Sequence, residues 1–493
     1  MTDQGFSRRA FLRKAATVGV AATPLAAGLL AGCDDPLSVS PDSQLSDEFL
    51  SSSEGITSVL MSAYDNIQYN SFGGANKMYV SEWPTDVMWE TGGGLNRNAV
   101  LYINYTWDPS HGWLEGFWGT SYGAIRDANI VLDNLETSEV SGDQQAMLRA
   151  EARFIRATSY FFLKNWFGPV PLITSSEQEN LEPERASEEQ IDEFISTEYS
   201  EAASVLPSQR PVEQKGRATK GAALAMLTKF YLNTKQWESC AATAQSVIDM
   251  GEYELYPDFF ELFQVGNENN DEFIWIHNAV RQPGEGNVFP PAVFPPGFPT
   301  SKFGPGRHEN WAAQVRLRDA FVRSFDDEDE RQELIITEYT DTEGNDIKLL
   351  GDDNSRSFKY WPDPNANGRW TGNDIPEVRY ADILLSRAEA LNEMEGPNQE
   401  SVDLINAVRT RAGVQPLSLS EFSSTSGLRE HLLDERGWEF YHEAKRREDM
   451  IRHGVLISNA QERGKNAQPF HTLYPIPQSE MNTNSNMEQN PGY

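Results

Sequence analysis

Gln144-Gln145-Ala146-Met147-Leu148-Arg149-Ala150-Glu151-Ala152-Arg153-Phe154-Ile155-Arg156-Ala157-Thr158-Ser159-Tyr160-Phe161-Phe162-Leu163-Lys164-Asn165-Trp166 carries the clearest helical signal in the chain. Met147, Phe154, Ile155, Phe162 and Trp166 recur at helical spacing and make one wide apolar face. Gly168-Pro169 ends it, because glycine frees the backbone and proline cannot continue the ladder. Upstream, Trp118, Tyr122, Ile125, Asn129 and Leu132 mark a helix over Trp118 to Leu135. Only a short polar turn separates the two, so they are expected to pack as an antiparallel pair. The pattern returns over 188–206, 217–233 and 236–250, where Ala223, Leu227, Tyr231, Trp237, Ala241, Ala244 and Ile248 alternate small with large residues. Small residues at helix crossings let a neighbour's ring settle close, as in stacked tetratricopeptide units. The fold class is therefore mainly α, built of tetratricopeptide-like helix pairs.

The periodicity lapses between about 251 and 375, where extended pieces such as Phe273-Ile274-Trp275-Ile276 and a proline- and glycine-rich stretch from Pro283 to Gly306 replace it. So long an irregular segment inside a domain is usually functional or mobile. The acidic run Asp326 to Glu333 is expected to be a solvated helix end or loop, since it lacks the ligand spacing and central glycine of a calcium-binding loop. Helices resume at Glu377 to Glu395, Ser401 to Ala412 and Leu428 to Arg452. No linker interrupts the chain. Residues 33–493 are expected to form one domain, with helical pairs at about 115–250 and 376–455 around an irregular loop and short-strand insert at about 251–375.

The N-terminus sets the compartment. Ser7-Arg8-Arg9-Ala10-Phe11-Leu12-Arg13-Lys14 places paired arginines ahead of the mild apolar run Ala15 to Leu30, the pattern of a twin-arginine export signal. Leu30-Ala31-Gly32-Cys33 is a lipobox, so residues 1–32 are expected to be cleaved and Cys33 lipidated. The Ala- and Gly-rich run spans a bilayer poorly, which argues against a retained membrane helix. Once Cys33 is modified only Cys240 remains, so stability rests on packing rather than a disulfide. The chain carries a net charge of −33, and loss of residues 1–32 removes four basic and one acidic side chain, leaving −36. Such a balance repels nucleic acid and anionic membranes.

The C-terminal third is specific enough to suggest a family. Glu377-Val378-Arg379-Tyr380-Ala381-Asp382-Ile383-Leu384-Leu385, Arg387-Ala388-Glu389-Ala390-Leu391-Asn392 and Ile405-Asn406-Ala407-Val408-Arg409-Thr410-Arg411-Ala412-Gly413 resemble the SusD/RagB signature. Leu433-Asp434-Glu435-Arg436-Gly437-Trp438-Glu439-Phe440, Tyr474-Pro475-Ile476-Pro477 and Gln489-Asn490-Pro491-Gly492-Tyr493 are similar to later blocks of that family, in order. Earlier, Glu151 to Ala157 and Phe167 to Leu172 match too. The resemblance implies a non-enzymatic, cofactor-free lipoprotein of the outer surface, seated like a lid over a SusC-like TonB-dependent transporter and capturing oligomeric nutrient, either glycan or peptide. Read from the residues alone, Arg379, Glu389, Arg409, Arg411, Glu435, Arg436, Glu439 and Arg446 sit at spacings that allow ion pairs between helices, and they are expected to brace the scaffold.

Ligand contacts are expected where helical regularity breaks. Tyr64 to Trp118 is dense in rings, including Tyr69, Phe72, Tyr79, Trp83, Trp89, Tyr102, Tyr105, Trp107 and Trp113, interleaved with Asp86, Arg97, Asn98 and Asn104. Rings cover the C–H patches of sugars while neighbouring polar groups bond the hydroxyls, so this composition favours glycan. Trp113, Trp118 and Tyr122 enter a helical period and are expected in the core, whereas Trp89, beside Gly92-Gly93-Gly94 and Asn96-Arg97-Asn98, is the leading candidate. In starch-binding relatives an early loop joins a later irregular segment, which here offers Trp275, His308 and Trp311, with Phe289, Phe294 and Phe298. The same Pro-rich segment could instead dock the transporter.

Enzyme readings find little support. Gly119-Thr120-Ser121-Tyr122-Gly123 has the spelling of a nucleophile elbow but lies at a helix start rather than after a buried strand. His431, His442 and His453 recur every eleven residues, which would spread them along about 33 Å of helix, too far to close one metal site. Phosphate loops and paired zinc cysteines are absent from the sequence.

Overall fold

The computed structural model describes residues 46–68, 75–90, 92–177, 179–311 and 314–493. Cys33 and the export signal, with Tyr69 and Phe72, lie outside them. Asp47 to Tyr493 form one unit.

The main helices of the first half, among the described residues, are α1 (Ser53–Ile67), α2 (Ala75–Glu82), α3 (Asn96–Asn104), α4 (Gly112–Asn134), α5 (Gly142–Phe167), α6 (Glu188–Val205), α7 (Lys220–Asn233) and α8 (Trp237–Asp249). After the insert come α9 (Tyr380–Glu395), α10 (Gln399–Arg411), α11 (Thr425–Phe440) and α12 (Arg446–Arg452), with short helices at Leu456–Glu462 and Gln478–Thr483. Capping fixes several starts. Ser52 Oγ accepts from the Gly55 amide, and Ser187 and Gln190 satisfy one another's backbone in a capping box that opens α6. At Gly168 the backbone turns to φ +73°, and α5 stops there as its Gly-Pro sequence requires.

The helices stack in succession, α4 on α5, α5 on α6, α6 on α7, α7 on α8, then α8 on α9 and α9 on α10. This is the expected mainly α, pairwise architecture. Ala222, Ala223, Ala225, Ala241 and Ala244 are all buried at those crossings, where their small side chains permit close approach. No helix among the described residues is long and apolar enough to cross a membrane.

Two helical expectations change. Residues 375–379 extend as a strand rather than opening α9, because Pro376 cannot donate to a helix and the segment pairs with Phe273–His277. Leu428 to Arg452 is not one helix: it breaks between α11 and α12, where His442 and Ala444 take left-handed backbone at φ 56° and 61°.

The insert contributes short ladders. Their strands include β1 (Met88–Trp89), β2 (Phe273–His277), β3 (Arg307–His308), β4 (Arg316–Leu317), β5 (Asn367–Gly368) and β6 (Ile375–Arg379). β2 pairs antiparallel with β6, β1 antiparallel with β4, and β3 parallel with β5. The proline-rich stretch is not a docking surface along its middle, since residues 286–295 are buried and Phe289, Val293 and Phe294 join the core. The acidic run is only partly solvated: Asp329 is buried and pairs with Arg331 at 2.7 Å.

The charged residues of the C-terminal blocks brace this frame. Arg379 pairs with Glu272 at 2.6 Å, Glu439 at 2.5 Å and Glu443 at 2.9 Å, all without solvent access. Arg331 and Arg409 hold Glu435, Arg411 holds Glu439, and Arg452 holds Glu389. Each guanidinium ties segments from separate parts of the chain, so the network specifies their mutual placement.

Candidate ligand-binding site

Between α2 and α3 the chain runs through β1, and Trp89 lies opposite Arg316 of β4. The same later segment reaches the glycine turn: the Leu95 amide donates to Gln314 Oε1 at 2.7 Å. Gly93, at φ +76°, packs so tightly that a β-carbon would stand 2.8 Å from Gln314. Only glycine permits both that backbone and that approach. Three residues ahead of Gln314, Trp311 bonds its amide to Pro291 O at 2.8 Å. The early loop thus meets Gln314 and Arg316, which lie just beyond the later segment singled out from sequence.

Trp89 is half-buried and packs on the main core, with its indole N–H donated to Asp353 O at 2.6 Å and the Arg316 guanidinium over its ring at 5.9 Å. Trp311 is also half-buried; its indole donates to Glu309 at 3.0 Å while Arg369 lies 5.5 Å over the ring and pairs with Glu309. Arg97 is exposed on the first turn of α3, beside half-buried Asn98. His308 is half-buried on β3 against β5, and burial holds its imidazole below the usual histidine range, so it is neutral near pH 7. Burial pushes the Glu90 carboxyl up to about 7, against the opposing pull of the Gly92 amide and Arg316.

Four candidates are corrected to structural roles. Trp83 is fully buried, stacked on Tyr79 at 4.6 Å and on Trp113 at 6.0 Å. Tyr102 is fully buried above Trp83 and Trp107. Trp275 is buried, packs edge-on to Phe154 of α5 at 4.9 Å, and donates its indole N–H to Gly216 O at 3.0 Å. Asp86 is committed to Arg446 through two 2.8 Å contacts; burial alone would raise its carboxyl, and Arg446 outweighs that to hold it below the usual range. Aromatic density alone could not separate these rings from Trp89, since a large core uses the same residues.

Sequence reading missed Arg316, Arg318, Gln314 and Arg369. The signal was present in Val315-Arg316-Leu317-Arg318, where charge alternates about buried Leu317 with the two-residue period of a half-exposed strand. The assembled groups are rings and hydrogen-bonding side chains suited to holding a ligand noncovalently. Among the described residues no group of three histidine, cysteine or acidic side chains could hold a metal ion.

A family model described as the SusD family matches residues 234–493. The chain belongs to the SusD family. A second model, described as starch-binding and associating with the outer membrane, matches residues 35–232. A SusD-like protein of Formosa agariphila is 29% identical over 74% of this chain and 76% of its own. The starch-binding SusD of Bacteroides thetaiotaomicron is 26% identical, covering 84% of each chain. Among solved structures, a laminarin-binding SusD-like protein superimposes with a TM-score of 0.78 at 25% identity, covering 89% of this chain and 99% of its own. A surface glycan-binding protein from Bacteroides thetaiotaomicron, solved with laminarihexaose, shares the fold at a TM-score of 0.74 and 20% identity. The mainly helical frame and the charged C-terminal blocks are therefore SusD features.

Proposed function

We propose that this SusD-family chain is a non-enzymatic lipoprotein of the outer-membrane surface, anchored through Cys33, that captures oligosaccharide or polysaccharide and delivers it to a SusC-like TonB-dependent transporter. On this reading residues 33–493 work as one domain without a cofactor. The observation that carries the proposal is the meeting of the 89–95 loop with Gln314 and Arg316, which sets half-buried Trp89 among hydrogen-bonding side chains on a braced scaffold. Rigid presentation lowers the ordering cost of a shallow sugar site. The names of the starch- and laminarin-binding relatives agree with a glycan ligand.

The test is calorimetric titration of residues 34–493 against a panel of polysaccharides and mixed peptide pools. Saturable binding to a glycan supports capture of sugar. Binding confined to peptides would transfer the cargo to that class, and binding to neither would leave a scaffold of an outer-membrane complex. Co-purification of a TonB-dependent transporter with the full-length chain from native membranes tests the delivery step; its absence sinks that part.

A further inference from the structure

Arginine in this acidic chain is almost everywhere matched to a carboxylate. Arg331, Arg379, Arg409, Arg411, Arg436, Arg446 and Arg452, all buried, each lie within 3.1 Å of at least one Asp or Glu oxygen. Among the described arginines without a carboxylate partner, which include buried Arg447 and half-buried Arg463, two stand next to Trp89 in the ladder or just beyond it. Arg316, on β4, and Arg318, just beyond its end, are both half-buried and flank Leu317, which enters the core. Neither guanidinium has an ion pair or hydrogen-bond acceptor among the described residues, and Nε of both, with Nη2 of Arg318, is buried without one.

A third arginine completes the patch. Arg356 lies on the strand beside β4, where the Leu317 amide donates to Ser355 O at 2.9 Å. It is buried and meets only the carbonyls and side-chain amide oxygen of Asn354 and Ser355, with no carboxylate. Burial and then Arg316 lower the Arg356 guanidinium to about 9, while burial and then Arg463 lower Arg318 to about 10 against the opposing pull of Asp353 and Asp86. Glu90, the acid whose charge bears on Arg316, is itself shifted towards its neutral form by burial. Burying unpaired cations is costly, and a chain with 74 acidic side chains had ample means to pair them. Trp89 borders the patch through its ladder with Arg316.

We propose that the Trp89 face binds an acidic glycan, whose sulfate ester or uronate carboxylate seats on Arg316 and Arg318. The inference rests on the glycan-capture reading and names its substrate class. A planar guanidinium fork matches either oxyanion, and the adjoining indole suits the sugar ring that carries it. The negative charge of the whole chain does not oppose this at close range, since mobile ions screen it beyond about 8 Å at physiological salt.

The experiment titrates the full-length protein in detergent with an uncharged β-glucan, a sulfated galactan, a uronan and sodium sulfate alone, and repeats the series with Arg316→Gln and Arg316→Lys. The expected result is at least tenfold tighter binding of one acidic glycan than of the β-glucan. Arg316→Gln should weaken it roughly tenfold or more, the scale of one charge-assisted hydrogen bond. Arg316→Lys should recover only part, with thermal unfolding unchanged in both variants; which glycan responds separates sulfate from carboxylate. Equal or tighter binding of the β-glucan, insensitive to either substitution, overturns the acidic class and leaves glycan capture standing. Sodium sulfate binding as tightly as any polymer overturns the proposal in favour of an inorganic anion site. Folded protein that binds no glycan removes the capture reading and this inference with it.

Discussion

Trp89 and Arg316 stand opposite one another across the two-residue antiparallel ladder of β1 and β4, with the guanidinium 5.9 Å from the ring centroid. Trp311 and Arg369 repeat the arrangement at 5.5 Å, but there Glu309 neutralises the cation. On the proposed reading the two tryptophans would meet a ligand in different surroundings: an arginine without an ion pair at Trp89 and a balanced pair at Trp311. Polarity along the site would run from one to the other.

Glu90 should make binding at Trp89 depend on pH. Its carboxyl is raised to about 7 by burial, so it ionises near neutrality and places a negative charge beside Arg316. An acidic ligand should bind more tightly at pH 6 than at pH 8, and Glu90→Gln should flatten that difference. The sign for folding is the same, because a raised group stabilises the fold below its unfolded value and loses that contribution as pH rises through 7. Titrations at several pH values check this, and an unchanged slope in Glu90→Gln would remove Glu90 from the site.

Trp83 provides the contrast between core and site. Trp83→Ala should cost about 3–5 kcal/mol of stability, as for a large ring removed from a packed stack. Its neighbours Tyr79, Tyr102 and Trp113 would lose their shared faces. Denaturant unfolding measures the loss. A variant that unfolds normally yet fails to bind glycan would return Trp83 to the site.

The fold was legible because helix periodicity and charged spacing are local signals. Met147 to Trp166 shows its apolar face in its own sequence, and Gly168 marks its end. The break in Leu428 to Arg452 was not legible, since His442 and Ala444 are neither glycine nor proline and their left-handed backbone is imposed by tertiary packing. The site was half legible. Gly92-Gly93-Gly94 singled out Trp89, which is half-buried where Trp83 and Tyr102 are fully buried. Sequence could not say that Trp83 and Tyr102 face inward while Trp89, six residues beyond Trp83, reaches the edge. That depends on where β4 arrives from more than 200 residues away.

Glu439 tests the brace. It accepts from Arg379, Arg411 and Arg331 with no solvent access. Burial alone would raise its carboxyl; Arg411, Arg379 and Arg331 overcome that and hold it far below the usual range. Glu439→Ala should destabilise by about 3–5 kcal/mol, because three cations lose a shared counter-charge in the interior. Glu435, held down to about 2 against burial by Arg331 and its neighbours, adds an acid limb: its contribution is present above the unfolded carboxylate value and is lost as pH falls towards 2. Urea unfolding between pH 7 and pH 3 measures both effects, and a Glu439→Ala loss below about 1 kcal/mol would show that the network is not coupled as its geometry requires.

Glu82 works in the opposite direction and separates burial from pairing. It closes α2 without solvent access, and burial raises its carboxyl to about 8 despite the pull of Arg446 and Lys359. The folded protein therefore keeps this proton at neutral pH while the unfolded chain loses it near 4.5. A raised group stabilises the fold fully below the unfolded value, so the wild type should lose stability relative to Glu82→Gln as pH climbs from about 4.5 to about 8. The slope can reach about 1.4 kcal/mol per pH unit for one proton. Glutamine keeps the shape of the neutral acid and has no proton to lose, so the two proteins should be alike at pH 4 and diverge steadily above it. Chemical denaturation of both proteins across that range decides the point: parallel curves would mean that Arg446 and Lys359 hold Glu82 ionised, and that α2 meets α12 through a charge pair rather than a neutral acid.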